Sequence, residues 1–75
     1  VIGAINGLAY GAGAELASLL DIRVGCEHAE FCFVAAKYGR ANATWSLPHV
    51  VGMPIAKELL YTARVVKADE AKAIG

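Results

Sequence analysis

The sequence predicts an α/β fold built around a strand–helix–strand unit, and three observations lead to this prediction. Residues 1–6 are a short apolar run closed by an Asn-Gly turn signal, which is typical of a strand buried on both faces of a parallel sheet. Residues 14–20 are rich in helix formers. Residues 21–26 alternate polar and apolar side chains, which favours a half-buried strand. Such a βαβ unit closes with a right-handed crossover.

A glycine-rich segment separates the first strand from the helix. Gly7, Gly11 and Gly13 fall close together, so the backbone must turn tightly here or approach something closely. The helix that follows carries three leucines on one face: Leu16, Leu19 and Leu20.

The second half of the chain predicts one more short strand, at residues 31–34, and two helices. Pro54 suits the first turn of a helix. Apolar side chains then recur at helical spacing, at Ile55, Ala56, Leu59, Leu60 and Ala63. Residues 67–74 predict a last short helix, ended by Gly75. Residues 40–45 show no clear period and are expected to form a loop or a broken helix.

Composition argues against several classes of protein. Of the 75 residues, 57% are apolar and 19% charged, which argues against intrinsic disorder. Seven basic and seven acidic residues cancel, so neither a nucleic-acid interface nor a polybasic membrane patch is expected. No apolar run has the length of a membrane span, and no signal peptide is visible. Cys26 and Cys32 fit no metal-binding spacing; we predict no metal and expect both to be small buried side chains in a reducing compartment.

The length and the apolarity of the chain are hard to reconcile. A chain this short buries only about 60% of the surface that it exposes when unfolded. Natural chains of this size usually add disulfides or a structural metal, and neither is predicted here. We therefore expect either an interior piece of a larger domain or a chain that must assemble with others.

The glycine-rich segment and Glu15 form the candidate functional site. A dinucleotide-binding loop needs a third glycine where this sequence has Leu16, and a P-loop needs a Gly-Lys-Ser/Thr run that is absent. What remains is a set of backbone amides at a helix N-terminus, which stabilise a negative oxygen. Beside them, the Glu15 carboxylate could move a proton or activate a water. The competing interpretation is that Glu15 only complements the helix dipole at the surface.

Residues 5–17, INGLAYGAGAELA, followed by DIR at residues 21–23, resemble the signature of the enoyl-CoA hydratase/isomerase (crotonase) family. Later segments resemble the same family, with a tail similar to methylglutaconyl-CoA hydratases: LPHVVG at 47–52, AKELL at 56–60 and EAKAIG at 70–75. The resemblance runs through the whole chain in one order. It implies a crotonase-like α/β spiral of ββα and βαβ units, of which residues 1–75 would be a central part of a single acyl-CoA domain.

The resemblance also implies an enzyme that processes acyl-CoA thioesters, with coenzyme A carried by the substrate and no separate cofactor. Two backbone amides would hold the thioester oxygen as an enolate, one of them the amide of Ala12 between Gly11 and Gly13. Glu15 falls on the first of the family's two catalytic glutamates, which in hydratases helps to position and deprotonate the attacking water. Assembly as a homotrimer or homohexamer is implied, in the cytoplasm or, in a eukaryote, in the mitochondrial matrix.

Two departures from the family pattern leave the reaction open. The second catalytic glutamate would fall at Ala35, and no Asp or Glu occurs between Phe31 and Lys57. The glycine-rich loop that follows in the family is replaced by a shorter segment, RANATW at residues 40–45. Hydration of an enoyl-CoA therefore stands beside isomerisation or thioester hydrolysis by Glu15 alone. A non-catalytic homologue that binds acyl-CoA, or that serves as a structural subunit, is the alternative from another class.

Overall fold

The computed structural model describes all 75 residues as ten short elements. The first half contains strands β1 (Ile2–Ile5) and β2 (Leu8–Tyr10), helix α1 (Ala12–Leu19), and strands β3 (Ile22–Gly25) and β4 (Glu30–Cys32). A 3-10 helix at Val34–Tyr38 follows. The second half contains helices α2 (Leu47–Val51) and α3 (Met53–Thr62), strand β5 (Val66–Lys67) and helix α4 (Ala68–Ile74).

The strands form two separate sheets, so the chain passes from one sheet to the other within each repeat. β1 pairs with β3 in parallel, with Ile2 opposite Ile22. β2 pairs with β4 in parallel, and β5 adds antiparallel to the other edge of β4. Two successive strand–strand–helix units therefore stack on each other, the second ending in the 3-10 helix. This arrangement confirms the predicted α/β class and the expected spiral of ββα and βαβ units.

The structure adds strands that the sequence did not predict. β2 occupies three residues of the segment interpreted above as a glycine-rich loop, and β5 is only two residues long. Both are stabilised by pairing with β4. Elements this short have too few side chains to show a period, so their existence depends on a partner strand that is distant in sequence.

Helix α1 packs through its small side chains and not through Leu16 and Leu19. Leu16 is 62% exposed and Leu19 is 47% exposed, whereas the buried residues are Ala14, Ala17 and Ser18. Leu20, which follows the last residue of the helix, is half-buried. Small side chains line the buried face, where α1 packs near α2 and where Ser18 bonds to Ser46.

The first sheet is also more exposed than predicted. β1 is not buried on both faces: Ile2 is 67% exposed, and its partner Ile22 is 55% exposed. β3 carries one half-buried residue, Arg23, among three exposed ones. The physical reason is that this sheet has only two strands and no helix covers those side chains. Cys26, expected to be buried, is exposed, while Cys32 is buried as predicted.

The core lies among the helices of the second half and the second sheet. Its seven buried residues come from α1, the residue after β4, the segment before α2, and α2, α3 and β5: Ala14, Phe33, Ala43, Leu47, Ala56, Leu59 and Val66. Helix α3 confirms the predicted apolar spacing, with Pro54 in its first turn and with Lys57 and Glu58 exposed. No helix of the structure has the length and apolarity needed to cross a membrane.

Candidate functional site

The site is built at the turn between β2 and α1. Gly11 there has φ +58° and ψ −120°, a conformation that side-chain-bearing residues avoid, so glycine is required by the backbone. A Cβ would meet Val34 at 3.5 Å, which is an ordinary contact. The Gly11 amide donates to the carbonyl of Cys32 at 2.9 Å and ties the turn to the end of β4.

Ala12 begins helix α1 immediately after this turn. The first amides of a helix have no partner inside the helix, and Ala12 and Gly13 are both exposed to solvent. The first turn is closed one step later, where the amide of Glu15 donates to the carbonyl of Gly11 at 3.0 Å. The predicted amide donor therefore stands at the positive end of the helix dipole.

The Glu15 side chain is half-buried and held by a distant part of the chain. Its Oε2 accepts a hydrogen bond from the backbone amide of Ala43 at 2.7 Å. Ala43 is 1% exposed and has φ +53°, which is the left-handed region and unusual for alanine. Glu15 thus does more than complement the helix dipole, because its carboxylate is fixed against the segment before α2.

Two buried serines support the helix behind Glu15. The Ser18 hydroxyl donates to the carbonyl of Glu15 at 2.7 Å, and its oxygen lies 3.0 Å from the Ser46 hydroxyl oxygen. Both serines are at most 9% exposed. Buried hydroxyls need partners, and here each supplies one to the other, linking α1 to the start of α2.

Asn42 joins the glycine turn to the same segment. Its side-chain Nδ2 donates to the carbonyl of Gly11 at 3.3 Å. Its Oδ1 is buried and has no hydrogen-bond partner. The segment interpreted above as a loop or a broken helix therefore contacts both the glycine turn, through Asn42, and Glu15, through Ala43.

Ala35 lies half-buried in the 3-10 helix. It lines a small cavity of about 160 Å³ together with Arg40, Asn42 and Tyr61, and no acidic side chain contributes to that lining. Ala35, which the family resemblance aligns with a second carboxylate, therefore brings no acidic side chain to this cavity. A larger cavity of about 700 Å³ lies elsewhere, among core residues such as Phe33 and Leu59, and its lining does not include Gly11, Ala12 or Glu15.

The ion pairs of Arg64 and Lys67 lie outside this site. Arg64 donates to both carboxylates that flank it, Glu58 on α3 and Glu70 on α4. These hydrogen bonds hold the pKa of Glu58 and that of Glu70 below their usual range. Likewise, Lys67 binds Glu30 at 2.7 Å and lowers the pKa of that carboxyl. No group of three His, Cys, Asp or Glu side chains is placed to hold a metal ion.

The sequence and the fold together define the class of protein. A sequence profile of the enoyl-CoA hydratase/isomerase family matches residues 1–75. The chain belongs to that family.

Relatives of known name agree with this assignment. The chain is 46% identical over 77 residues to the mitochondrial methylglutaconyl-CoA hydratase of Mus musculus, covering 99% of this chain and 24% of the relative. It is 45% identical over 78 residues to the crotonyl-CoA hydratase of Syntrophomonas wolfei, covering 100% of this chain and 30% of the relative. The chain thus spans about a quarter to a third of these relatives' length.

Solved structures share the fold. The enoyl-CoA hydratase of Mycobacterium tuberculosis H37Rv superimposes with a TM-score of 0.93 at 37% identity, over 100% of this chain and 35% of that one. A Thermobifida fusca YX protein solved in complex with acetoacetyl-CoA superimposes with a TM-score of 0.92 at 37% identity, over 97% of this chain and 30% of that one.

The structure also shows contributors that the sequence did not indicate. The Ala43 amide has no sequence signal, because every residue except proline carries the same donor. Ser18 and Ser46 are ordinary helix and loop residues in the sequence, and only their juxtaposition makes them a buried pair. Asn42 lies within residues 40–45, which depart from the family pattern. That departure is the only sequence feature that could have drawn attention to Asn42.

Proposed function

We propose that the protein containing this chain hydrates an enoyl-CoA, or dehydrates the corresponding hydroxyacyl-CoA, through a stabilised thioester enolate. The observation that carries the proposal is the Glu15 carboxylate, held at 2.7 Å by the Ala43 amide, one helical turn after the amides that begin α1. Coenzyme A would be part of the substrate and no separate cofactor would be needed. The names of the relatives, and the acetoacetyl-CoA bound to one solved neighbour, support an acyl-CoA substrate.

The proposed reaction uses the two groups in different roles. The amide of Ala12, with a second donor from outside this chain, would bind the thioester oxygen as negative charge develops on it. Glu15 would take a proton from water as the water oxygen bonds to the β-carbon. The electron pair of the carbon–carbon double bond moves toward the thioester and forms the enolate. A proton then returns to the α-carbon, and the product is a 3-hydroxyacyl-CoA.

The origin of that last proton separates the candidate reactions. Ala35 supplies no acid, so within this chain the proton can return only from Glu15 itself or by way of solvent. A single carboxylate suits reactions in which one group removes and returns the same proton, such as double-bond isomerisation. It also suits thioester hydrolysis, in which Glu15 activates a water that attacks the carbonyl carbon. Loss of the second carboxylate equally motivates a homologue that binds acyl-CoA without turning it over.

The proposal is tested on the complete protein with crotonyl-CoA, by identifying the products. Formation of 3-hydroxybutyryl-CoA supports hydration, a shifted double bond would indicate isomerisation, and release of free coenzyme A would indicate hydrolysis. Glu15→Gln keeps the shape of the side chain and its acceptor for the Ala43 amide but cannot take the proton. We expect kcat to fall by about 10²–10⁴-fold, in line with the loss of a general base.

The Glu15→Gln test has a matched control variant, and two results would contradict the proposal. Glu27→Gln makes the same change on an exposed glutamate in the turn after β3, and its rate should equal that of the wild type. An unchanged kcat in Glu15→Gln would remove Glu15 from the mechanism. Tight binding of crotonyl-CoA without any product would favour the non-catalytic homologue.

We also propose a homotrimer or homohexamer, which light scattering on the complete protein can test.

A further inference from the structure

We propose that Asn42 is a positioning residue that orients and polarises the peptide group between Gly11 and Ala12. This inference rests on the proposed function, in which the amide of Ala12 receives the thioester oxygen. The Asn42 Nδ2 donates to the Gly11 carbonyl at 3.3 Å. That carbonyl and the Ala12 N–H belong to one peptide unit. A contact with the oxygen at one end therefore acts on the donor at the other.

The peptide group transmits this contact in two ways. It is planar and trans, so fixing the direction of its C=O fixes the direction of its N–H. A hydrogen bond accepted by the oxygen also draws electron density from the nitrogen, which makes the N–H a stronger donor. The Gly11 carbonyl already accepts the amide of Glu15 at 3.0 Å, and Asn42 adds a second donor from outside the helix. Glycine at this position gives the turn little stiffness of its own, so an external restraint matters.

The geometry excludes the reversed orientation of the Asn42 side-chain amide. Turning that amide over would bring Oδ1 against the Gly11 carbonyl oxygen, and neither of them can donate. In the orientation found here, Oδ1 is buried without a partner. A buried acceptor without a partner lowers the free energy of unfolding. An asparagine in this position therefore destabilises the fold relative to an apolar residue. The arrangement is better explained by what Nδ2 does to the glycine turn.

One dipeptide then serves both halves of the site. Asn42 holds the peptide that carries the Ala12 amide, and the next residue, Ala43, holds the Glu15 carboxylate at 2.7 Å. Residues 40–45, which replace a glycine-rich loop in the family pattern, thereby fix the position of the Ala12 amide relative to the Glu15 carboxylate.

The test compares two variants of the complete protein. Asn42→Asp has the shape of the native side chain but, when ionised, no N–H to donate. Asn42→Ala removes the donor together with the buried unpaired acceptor, so it is the second variant to use if Asn42→Asp does not fold. Thr44→Ala is the matched control, because Thr44 is exposed in the same segment and makes no side-chain hydrogen bond.

The decisive readout is the C=O stretching frequency of a bound acyl-CoA labelled with ¹³C at the thioester carbon. A weaker donor at Ala12 should shift this band toward its frequency in free acyl-CoA. We expect both Asn42 variants to show that shift and to lose about tenfold in kcat, less than the loss of an oxyanion donor itself, with KM nearly unchanged. The control should match the wild type in both measurements.

Two results would overturn the inference. One is an unshifted C=O band in both Asn42 variants, whatever their stability, since a merely structural asparagine would give that result. The other is a rise in KM with kcat intact, which would place Asn42 in substrate binding. The proposed function can fail separately. The wild-type protein could form no product and yet lower the C=O frequency of the bound acyl-CoA. If the Asn42 variants then reversed that shift, the proposed reaction would be wrong and the positioning role of Asn42 would stand.

Discussion

The backbone amide of Ala43 donates to the carboxylate of Glu15 at 2.7 Å, across 28 positions of the sequence. This contact joins helix α1 to the segment that leads into α2, and it holds the candidate general base in one position. Ala43 makes the contact from a left-handed conformation, with φ +53°. The site therefore includes a backbone residue in a conformation that is unusual for alanine.

Ala43→Gly should retain both stability and activity. Left-handed backbone costs a non-glycine residue about 1–2 kcal/mol, and glycine removes that strain. The lost methyl group, about 0.8 kcal/mol when buried, and the greater freedom of glycine in the unfolded chain offset the gain. We expect urea denaturation of the complete protein to give a free energy of unfolding within about 1 kcal/mol of the wild type.

Ala43→Val is the contrasting change at the same position. It adds two methyl groups at a site that is 1% exposed, and a β-branched residue strongly disfavours positive φ. We expect a loss of about 2 kcal/mol or more in the free energy of unfolding. The rate should fall as well, because the amide moves away from Glu15. A valine variant as active as the glycine variant would show that this contact does not position the carboxylate.

Ala12→Pro removes the proposed amide donor and little else. Proline is tolerated at the first position of a helix, which is where Ala12 lies in α1. We expect kcat with crotonyl-CoA to fall by about 10²–10³-fold, the usual effect of losing one oxyanion donor. Ala12→Gly keeps the amide and should retain activity. If both variants fold and turn over substrate equally, the oxyanion site lies elsewhere.

The Ser18–Ser46 pair predicts strong coupling between two substitutions. Ser18→Ala leaves the buried Ser46 hydroxyl without its partner and should lower the free energy of unfolding by about 1–3 kcal/mol. Ser46→Ala should lower it by only about 1 kcal/mol, because Ser18 keeps its hydrogen bond to the Glu15 carbonyl. The double variant should lose less than the sum of the two, because it leaves no orphaned hydroxyl in the pair. Denaturant titration of all four proteins measures this coupling. Strict additivity would mean that the two hydroxyls do not interact.

The Arg64 cluster predicts the pH dependence of stability. Glu58 and Glu70 have lowered pKa values in the folded state, so near their ordinary pKa of about 4.3 the folded chain binds fewer protons than the unfolded chain. Their contribution is present above that pH and is lost as the pH falls through the lowered values. Arg64→Met should therefore flatten the fall in Tm between about pH 5 and pH 3.

Lys57→Met is the charge-matched control for Arg64→Met. Lys57 is exposed on α3 and forms no salt bridge, so its removal should leave the acid dependence of Tm close to that of the wild type. Equal flattening in the two variants would show that net charge, and not the pairing of Arg64 with Glu58 and Glu70, sets the dependence.

Residue patterns alone were enough to place helices α1, α3 and α4 and three of the four parallel strands, β1, β3 and β4. The apolar run of β1, the helix formers of α1 and the spacing in α3 are local signals, and local periodicity predicts local structure well. The resemblance of residues 5–17 to the family signature is enough to predict roles for the Ala12 amide and for Glu15. Their catalytic roles stay predictions until the variants above are measured.

Tertiary structure decided how those pieces meet. β2 and β5 exist because they pair with β4, the leucines of α1 lie on its outer face, and the buried side of that helix consists of small residues. No sequence pattern identifies the Ala43 amide that holds Glu15, since nearly every residue carries the same backbone donor. Which of them reaches the carboxylate depends on how the chain returns to α1 after 28 residues, and that path is set by packing between distant segments.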